Sequence, residues 1–168
     1  MTKKILQELR HNIMNDLAMN PRDCGDIPGL SVGFMDTGCS AICQKKMRDI
    51  VSGTFESLEN PLDLGGIAGG LKVLGRGKTK FEFVTSDGNT ICLTRDCYYV
   101  PDLAIDLIPP QKIMRDASDG WFKINGHAAR LEFRDGSVVS VPFDPVTSLP
   151  MLYSFDSVEK AAEQMEMG

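Results

Sequence analysis

Apolar residues recur at Ile5, Leu6, Leu9, Ile13 and Leu17, the spacing of one helix face, and Thr2 stands where its hydroxyl can cap the first turn. The pattern predicts a helix over residues 2–19 whose apolar stripe is a packing face. Asn20-Pro21-Arg22-Asp23 stops it, and Asp26-Ile27-Pro28-Gly29 prolongs the break. Residues 1–28 are therefore expected to form a helical extension and linker ahead of a core domain at 29–150. Beyond Gly29 the period changes. Val32-Gly33-Phe34-Met35 predicts a short strand that delivers Asp36. Periodicity is weak from Gln44 to Asn60, which allows a strand or a short helix. Leu62-Asp63-Leu64 and Leu71-Lys72-Val73-Leu74 then flank a glycine-dense tip. Lys80–Val84 and Thr90–Thr94 alternate around Asp87-Gly88, a hairpin signal, and Cys97–Val100 reads as another strand ended by Pro101. Pro109-Pro110-Gln111-Lys112-Ile113-Met114 predicts a short helix opened by prolines.

Hairpins resume at Trp121. Asn125-Gly126 joins Trp121–Ile124 to Ala128–Phe133, and Asp135-Gly136 joins that segment to Val138–Phe143. Pro142, Pro145 and Pro150 interrupt the pairing. Residues 156–166 read as a short polar helix, capped by Asp156 or Ser157, within a helical tail at 151–168. Many short strands at regular spacing predict a mainly β core of closed or sandwiched sheet, with helices at the two ends.

Composition narrows the function classes. The 168 residues are 42% hydrophobic and 24% charged, as in an ordinary globular domain. Lys+Arg 18 against Asp+Glu 23 gives a formal charge of −5 and no large basic block, so no nucleic-acid partner is expected. No apolar run approaches bilayer length and no signal-peptide core opens the chain, so no membrane partner is expected and residence is cytoplasmic or within a particle. The cysteines Cys24, Cys39, Cys43, Cys92 and Cys97 are odd in number, against a complete disulfide framework. Their spacing does not match the tight Cys-x2-Cys pairs of zinc ribbons, so free thiols and no metal are expected. No cofactor is expected. His11 and His127 are isolated from any informative Ser or Cys, against a His-assisted nucleophile. Trp121 reads as a core or interface aromatic.

Two stretches carry chemistry. Asp36-Thr37-Gly38 ends the first strand with a carboxylate, a hydroxyl and a glycine that lets the backbone bend tightly. One carboxylate cannot act as both acid and base in peptide hydrolysis, but two copies related by a two-fold axis could. Alone, the triplet is also an ordinary turn. Gly65, Gly66, Ile67, Ala68, Gly69 and Gly70 form the second stretch. A phosphate cradle would open a helix, whereas Leu71–Leu74 reads as a strand and Walker spacing is absent. A mobile hairpin tip closing over an extended peptide is the better functional reading, beside a turn with no task.

Together these stretches resemble the retropepsin family, the aspartic proteases of retroviruses and long-terminal-repeat retrotransposons. Asp36-Thr37-Gly38 is similar to the catalytic triplet and Gly65–Val73 to the glycine-rich flap. Tyr98-Tyr99-Val100-Pro101-Asp102-Leu103 through Ile113 is similar to a block of the copia-type retrotransposon protease region. The likeness covers roughly residues 30 to 115. Cys39 replaces the Ala common after the triplet, and Leu107-Ile108-Pro109 replaces two apolar residues and Gly. The hairpins at 121–143 extend past the compact retroviral domain. The resemblance implies an acid-protease fold, a closed β-barrel with one lobe per chain, acting as a homodimer on an extended peptide or polyprotein. It implies that two Asp36 carboxylates share a proton, one activating water while the other protonates the peptide carbonyl. Thr37 would bond across the two-fold, and Ile67 or Ala68 would top the flap. The rival reading is a catalytically silent dimerisation or peptide-binding module on the same fold.

Overall fold

The computed structural model describes Glu8, Asn12, Leu17 and residues 29–64, 70–115 and 120–155. These residues are mainly β. Strands β1 (Leu30–Met35), β2 (Cys43–Gln44), β3 (Glu56–Asp63), β4 (Lys72–Val84), β5 (Thr90–Tyr99) and β6 (Asp106–Ile108) belong to one sheet. Helix α1 (Pro110–Met114) follows β6. A second sheet of three strands holds β7 (Trp121–Ile124), β8 (Ala129–Glu132) and β9 (Val138–Val141) in that order, and β10 (Met151–Phe155) returns to the first. The seven strands of the large sheet run β10-β1-β6-β2-β5-β4-β3.

The order around β1 positions everything else. β10 pairs antiparallel with one edge of β1, and β6 pairs parallel with the other, matching Gly33 to Asp106, Phe34 to Leu107 and Met35 to Ile108. β6 also meets β2 at Cys43–Leu107, so it is inserted between two strands that are neighbours in sequence. Gly33 permits the close approach. A Cβ built there would lie 2.6 Å from Ile108 Cδ1 and 3.1 Å from Asp106 Cβ, well inside van der Waals contact.

Several expectations take a different form. Leu71–Leu74 and Lys80–Val84 are parts of one 13-residue strand, and Thr90–Thr94 and Cys97–Tyr99 are likewise parts of β5. Gly75 and Gly77 do not break β4. A Cβ on Gly75 would sit 2.3 Å from the Phe55 ring and one on Gly77 would sit 2.8 Å from Ile50 Cγ2, so these glycines admit the side chains of the preceding segment. The weakly periodic stretch resolves into a 3-10 turn at Met47–Asp49 and strand β3, exposed along nearly its whole length. Met151–Phe155, assigned to the tail, is a wholly buried strand, so the core domain runs past residue 150. Its five residues all lie inside, which no polar helix could accommodate. Glu8, Asn12 and Leu17 are helical and Leu17 is buried, but the rest of the expected helix at 2–19, and the one at 156–166, lie outside the described residues.

Among the described residues the sheet is not a closed barrel. β10 and β3 are the unpaired ends of the strand order. The sheet curls until β10 lies over β4, but a side chain makes the link: the Glu82 N–H donates to Ser154 Oγ at 2.9 Å. A backbone ladder there would have closed the ring.

The small sheet packs across the large one. Leu131, Val139 and Val141 share a buried cluster with Met35, Phe81, Phe83, Ile108 and Leu152, and the Ser86 N–H donates to the Val138 carbonyl at 2.8 Å. Asn89, Ser137 and Ala128 close the expected hairpins, with Gly88 and Gly136 at φ of 84° and 90°. Trp121 does not join this core. It is 69% exposed on edge strand β7, where alternation turns it outward.

Filling the space above Gly33 should strain the β1–β6 contact. Gly33→Ala is expected to lower stability by about 1–3 kcal/mol in urea unfolding. Because the clash falls on Ile108 Cδ1, adding Ile108→Val should recover part of that loss, giving a favourable coupling of roughly 0.5 kcal/mol or more in a double-mutant cycle. Strict additivity would place the strain elsewhere.

Candidate active site

Asp36 leaves the sheet where buried β1 ends, and Asp36, Thr37 and Gly38 are all exposed. The turn is held mainly by its backbone. The Asp36 N–H donates to the Ile108 carbonyl at 3.1 Å, extending the β1–β6 pairing by one bond. The Cys39 N–H donates to the Asp36 carbonyl at 3.3 Å, and the Gly38 N–H donates to Asp36 Oδ1 at 2.9 Å. That last bond fixes one carboxylate oxygen and leaves the group facing outward. Gly38 also gives room, since a Cβ there would stand 3.2 Å from Oδ1.

Helix α1 braces the turn from the other side. Gln111 Nε2 donates to the Thr37 carbonyl at 3.3 Å and to the Cys39 carbonyl at 3.0 Å. The helix is itself clamped to β5. Arg95 Nε donates to the Lys112 carbonyl at 3.1 Å and its Nη2 to the Ile113 carbonyl at 2.8 Å, at the end of α1 where helix carbonyls lack partners. Gln111 lies in the Pro-Pro-Gln-Lys-Ile segment, where local pattern gives it no task. Its role is visible only once α1 is placed beside the turn.

The glycine-rich segment lies in sequence between β3 and β4. Asp63 pairs with Lys72 in the ladder, their side chains form an ion pair, and the Leu64 N–H donates to the Leu71 carbonyl at 2.9 Å. Gly70 has φ of 91°, a conformation that a side chain would resist. Gly65, Gly66, Ile67, Ala68 and Gly69 lie outside the described residues. The arms are tied to the Asp36 turn by apolar packing: Leu64, Leu71 and Val73 share a cluster with Cys39 and Ala41, together with Cys43, Val100 and Leu103. Of the three stretches singled out in sequence, the triplet and the Tyr-Val-Pro block are in direct contact. The base of the glycine hairpin packs beside them.

Asp106 is a feature that the sequence pattern left unexplained. Opposite Gly33 in the ladder and 4% exposed, it accepts the Lys45 N–H at 2.8 Å. Burial pushes its carboxyl up to about 7, and nearby Asp49 adds to the rise, while the Lys45 N–H and the Lys46 and Lys45 charges oppose it. Among the described residues, the thiols of Cys39, Cys43, Cys92 and Cys97 are free. Cys43 and Cys97 are buried, and burial pushes both up to about 12, away from the thiolate form. Cys92 and Cys97 lie an odd number of residues apart on β5 and face opposite sides, one exposed and one buried, so they cannot share a ligand. Cys24 and His11 lie outside the described residues, and His127 is exposed beside a hairpin turn. Among the described residues no three His, Cys, Asp or Glu side chains gather, and no helix is long and apolar enough to cross a membrane.

Two hollows flank these elements. One of about 590 Å³ is lined by Ser31, Gln44, Asp49, Thr79 and Ser154, and no residue of the triplet reaches it. Gln44 Nε2 donates to Thr79 Oγ1 at 2.9 Å, while its Oε1 is buried without a partner among the described residues. The other, about 1050 Å³, begins at Ser40, Ala41 and Ile42, directly after the Asp36 turn, and continues past β4 and β5 to α1. No family model matches the chain, and no curated protein matches it.

The buried Asp106 makes stability depend on pH with a definite sign. Between an unfolded value near 3.8 and a folded value of about 7, the folded chain keeps a proton that the unfolded chain has released. Stability should therefore fall as pH rises through that window and level off above it. Asp106→Asn keeps an acceptor for Lys45 and removes the titration. It should stabilise the protein at pH 8 by about 1–4 kcal/mol and gain little at pH 4. Urea midpoints of both proteins from pH 4 to pH 8 test this; a constant difference across the range would show that Asp106 does not titrate as its burial requires.

Proposed function

We propose that the chain is one subunit of a homodimeric aspartic endopeptidase of the retropepsin type, processing the polyprotein of a copia-type retrotransposon. The observation that carries the reading is the convergence of separate motifs on one carboxylate. The Asp36 N–H bonds to the Ile108 carbonyl, Gln111 holds the carbonyls of Thr37 and Cys39, and the arms of the β3–β4 hairpin share a buried cluster with Cys39 and Ala41. Chance triplets and turns have no reason to be neighbours in space, so their proximity supports one shared task.

The chemistry needs a second chain. Asp36 is exposed and has one oxygen committed to Gly38, which leaves the other toward solvent. In the proposed dimer two such carboxylates face each other. Their mutual repulsion keeps one protonated, so the pair titrates as a unit. The ionised member accepts a proton from water as it attacks the peptide carbonyl, and the protonated member donates to the carbonyl oxygen. Gly38 leaves the backbone open to substrate, and Gly65–Gly70 with Ile67 and Ala68 form a flap that excludes water and bonds to the extended peptide.

Asp36→Asn retains the acceptor for the Gly38 N–H and should fold normally. Cleavage of a peptide library at mildly acidic pH should nonetheless fall by at least ~10²-fold, the size of a lost general acid–base group. Sedimentation of the wild-type chain should show a dimer at the concentrations that support cleavage. Undiminished cleavage by the variant, or cleavage by a strict monomer, would remove the assignment. A dimer that cleaves nothing would leave the silent module.

A further inference from the structure

The groove beside the Asp36 turn has a charge unlike that of the chain as a whole. The chain carries a formal −5, yet the groove is lined by five cations, Arg76, Lys78, Arg95, Lys112 and Arg115, against two carboxylates, Glu56 and Asp96. Two of the cations are matched: Arg76 Nε lies 3.1 Å from Glu56 and Lys78 Nζ lies 2.9 Å from Asp96. Arg95 directs its donors to the carbonyls of Thr94, Lys112, Ile113 and Arg115, which orient its charge without cancelling it. Among the described residues Lys112 and Arg115 make no ion pair. The same Arg95 clamp fixes the end of α1, so their positions relative to the groove are set by the fold. The lining of the groove also includes Ser40, which follows the Asp36 turn.

We propose that this groove is a specificity subsite for an anionic side chain of the extended peptide, with Lys112 and Arg115 as its charge partners. The proposal rests on the protease reading above. An extended peptide advances about 3.3 Å per residue and alternates its side chains, so a residue two to four positions from the cleaved bond reaches a neighbouring hollow while the bond stays at Asp36. One carboxylate or phosphoryl group between two fixed cations suits the space. A continuous phosphate backbone suits it less well, because Glu56 and Asp96 stand in its path.

Cleavage by the full chain is measured on one peptide carrying Glu, phosphoserine, Gln or Lys at each of four positions on either side of the bond. At one position Glu should exceed Gln in kcat/KM by about 3–10-fold, as expected of two partly exposed charge contacts, and the ratio should shrink in high salt. The phosphoserine arm distinguishes a phosphoryl group from a carboxylate as the preferred anion. In K112E/R115E the order should invert, with Lys preferred over Glu at that same position. Equal cleavage of all four peptides at every position, or an unchanged order in the reversed variant, overturns the subsite while leaving the protease standing. If the wild type cleaves nothing, fluorescence anisotropy of the acidic peptide on the chain still reads the groove. Binding lost in K112E/R115E supports it, and no binding sinks it. Binding of a single-stranded oligonucleotide that vanishes in K112E/R115E while peptide cleavage keeps its order would give the groove to nucleic acid and overturn the proposal.

Discussion

The parallel pairing of β6 with β1 is the constraint on which the rest of the molecule depends. β6 occupies the place that β2, the next strand in sequence, would otherwise take beside β1. Residues 36–42 must therefore span the end of β6, a gap of two strand spacings or about 9.5 Å. A connection stretched across that gap cannot collapse into a two-residue hairpin. It stands over the end of β6, where α1 begins and Gln111 can reach its carbonyls. The exposure of Asp36 follows from topology as much as from local turn chemistry.

The pairing has a cost, and it falls on the same few residues. Gly33 surrenders a side chain so that Ile108 and Asp106 can approach. Asp106 places a carboxyl in the interior, where it accepts the Lys45 N–H, and burial holds it largely protonated below neutral pH. Both features weaken the fold where an apolar pair would strengthen it. Proteins tolerate such local violations beside functional sites, and this one lies in the β1–β6 ladder that ends at the candidate carboxylate.

The hairpin and the groove extend outward from that base. β3 is exposed along nearly its whole length, and the β3–β4 arms anchor through Leu58, Leu64, Leu71 and Val73 to the cluster shared with Cys39 and Ala41. An arm with few buried contacts opens at lower free energy than the core does. On the far side, Arg95 links β5 to α1 and places two cations on the rim of a groove that starts at the turn. The carboxylate, the hairpin arms and the basic groove are thus three readouts of one scaffold.

Much of this was legible in the chain itself. Alternation and the Asp-Gly and Asn-Gly turns located the β4–β5 hairpin and β7, β8 and β9, because a hairpin is specified by neighbours in sequence. The Pro-Pro start located α1, and the Asp-Thr-Gly and glycine-rich stretches marked the candidate site. What escaped was non-local. Met151–Phe155 became a strand because β1 offered an open edge far away in the chain, and the glycines of β4 made room for Phe55 and Ile50 instead of breaking it. The open sheet, joined across its curl by Ser154 instead of a ladder, and the burial of Asp106 likewise depend on partners that no window of sequence contains. The sequence by itself determined the hairpin strands and which residues can do chemistry, since both are set by residues a few positions apart. Tertiary structure decided which of those residues meet, because strand order and burial are settled only when distant edges compete for the same partner.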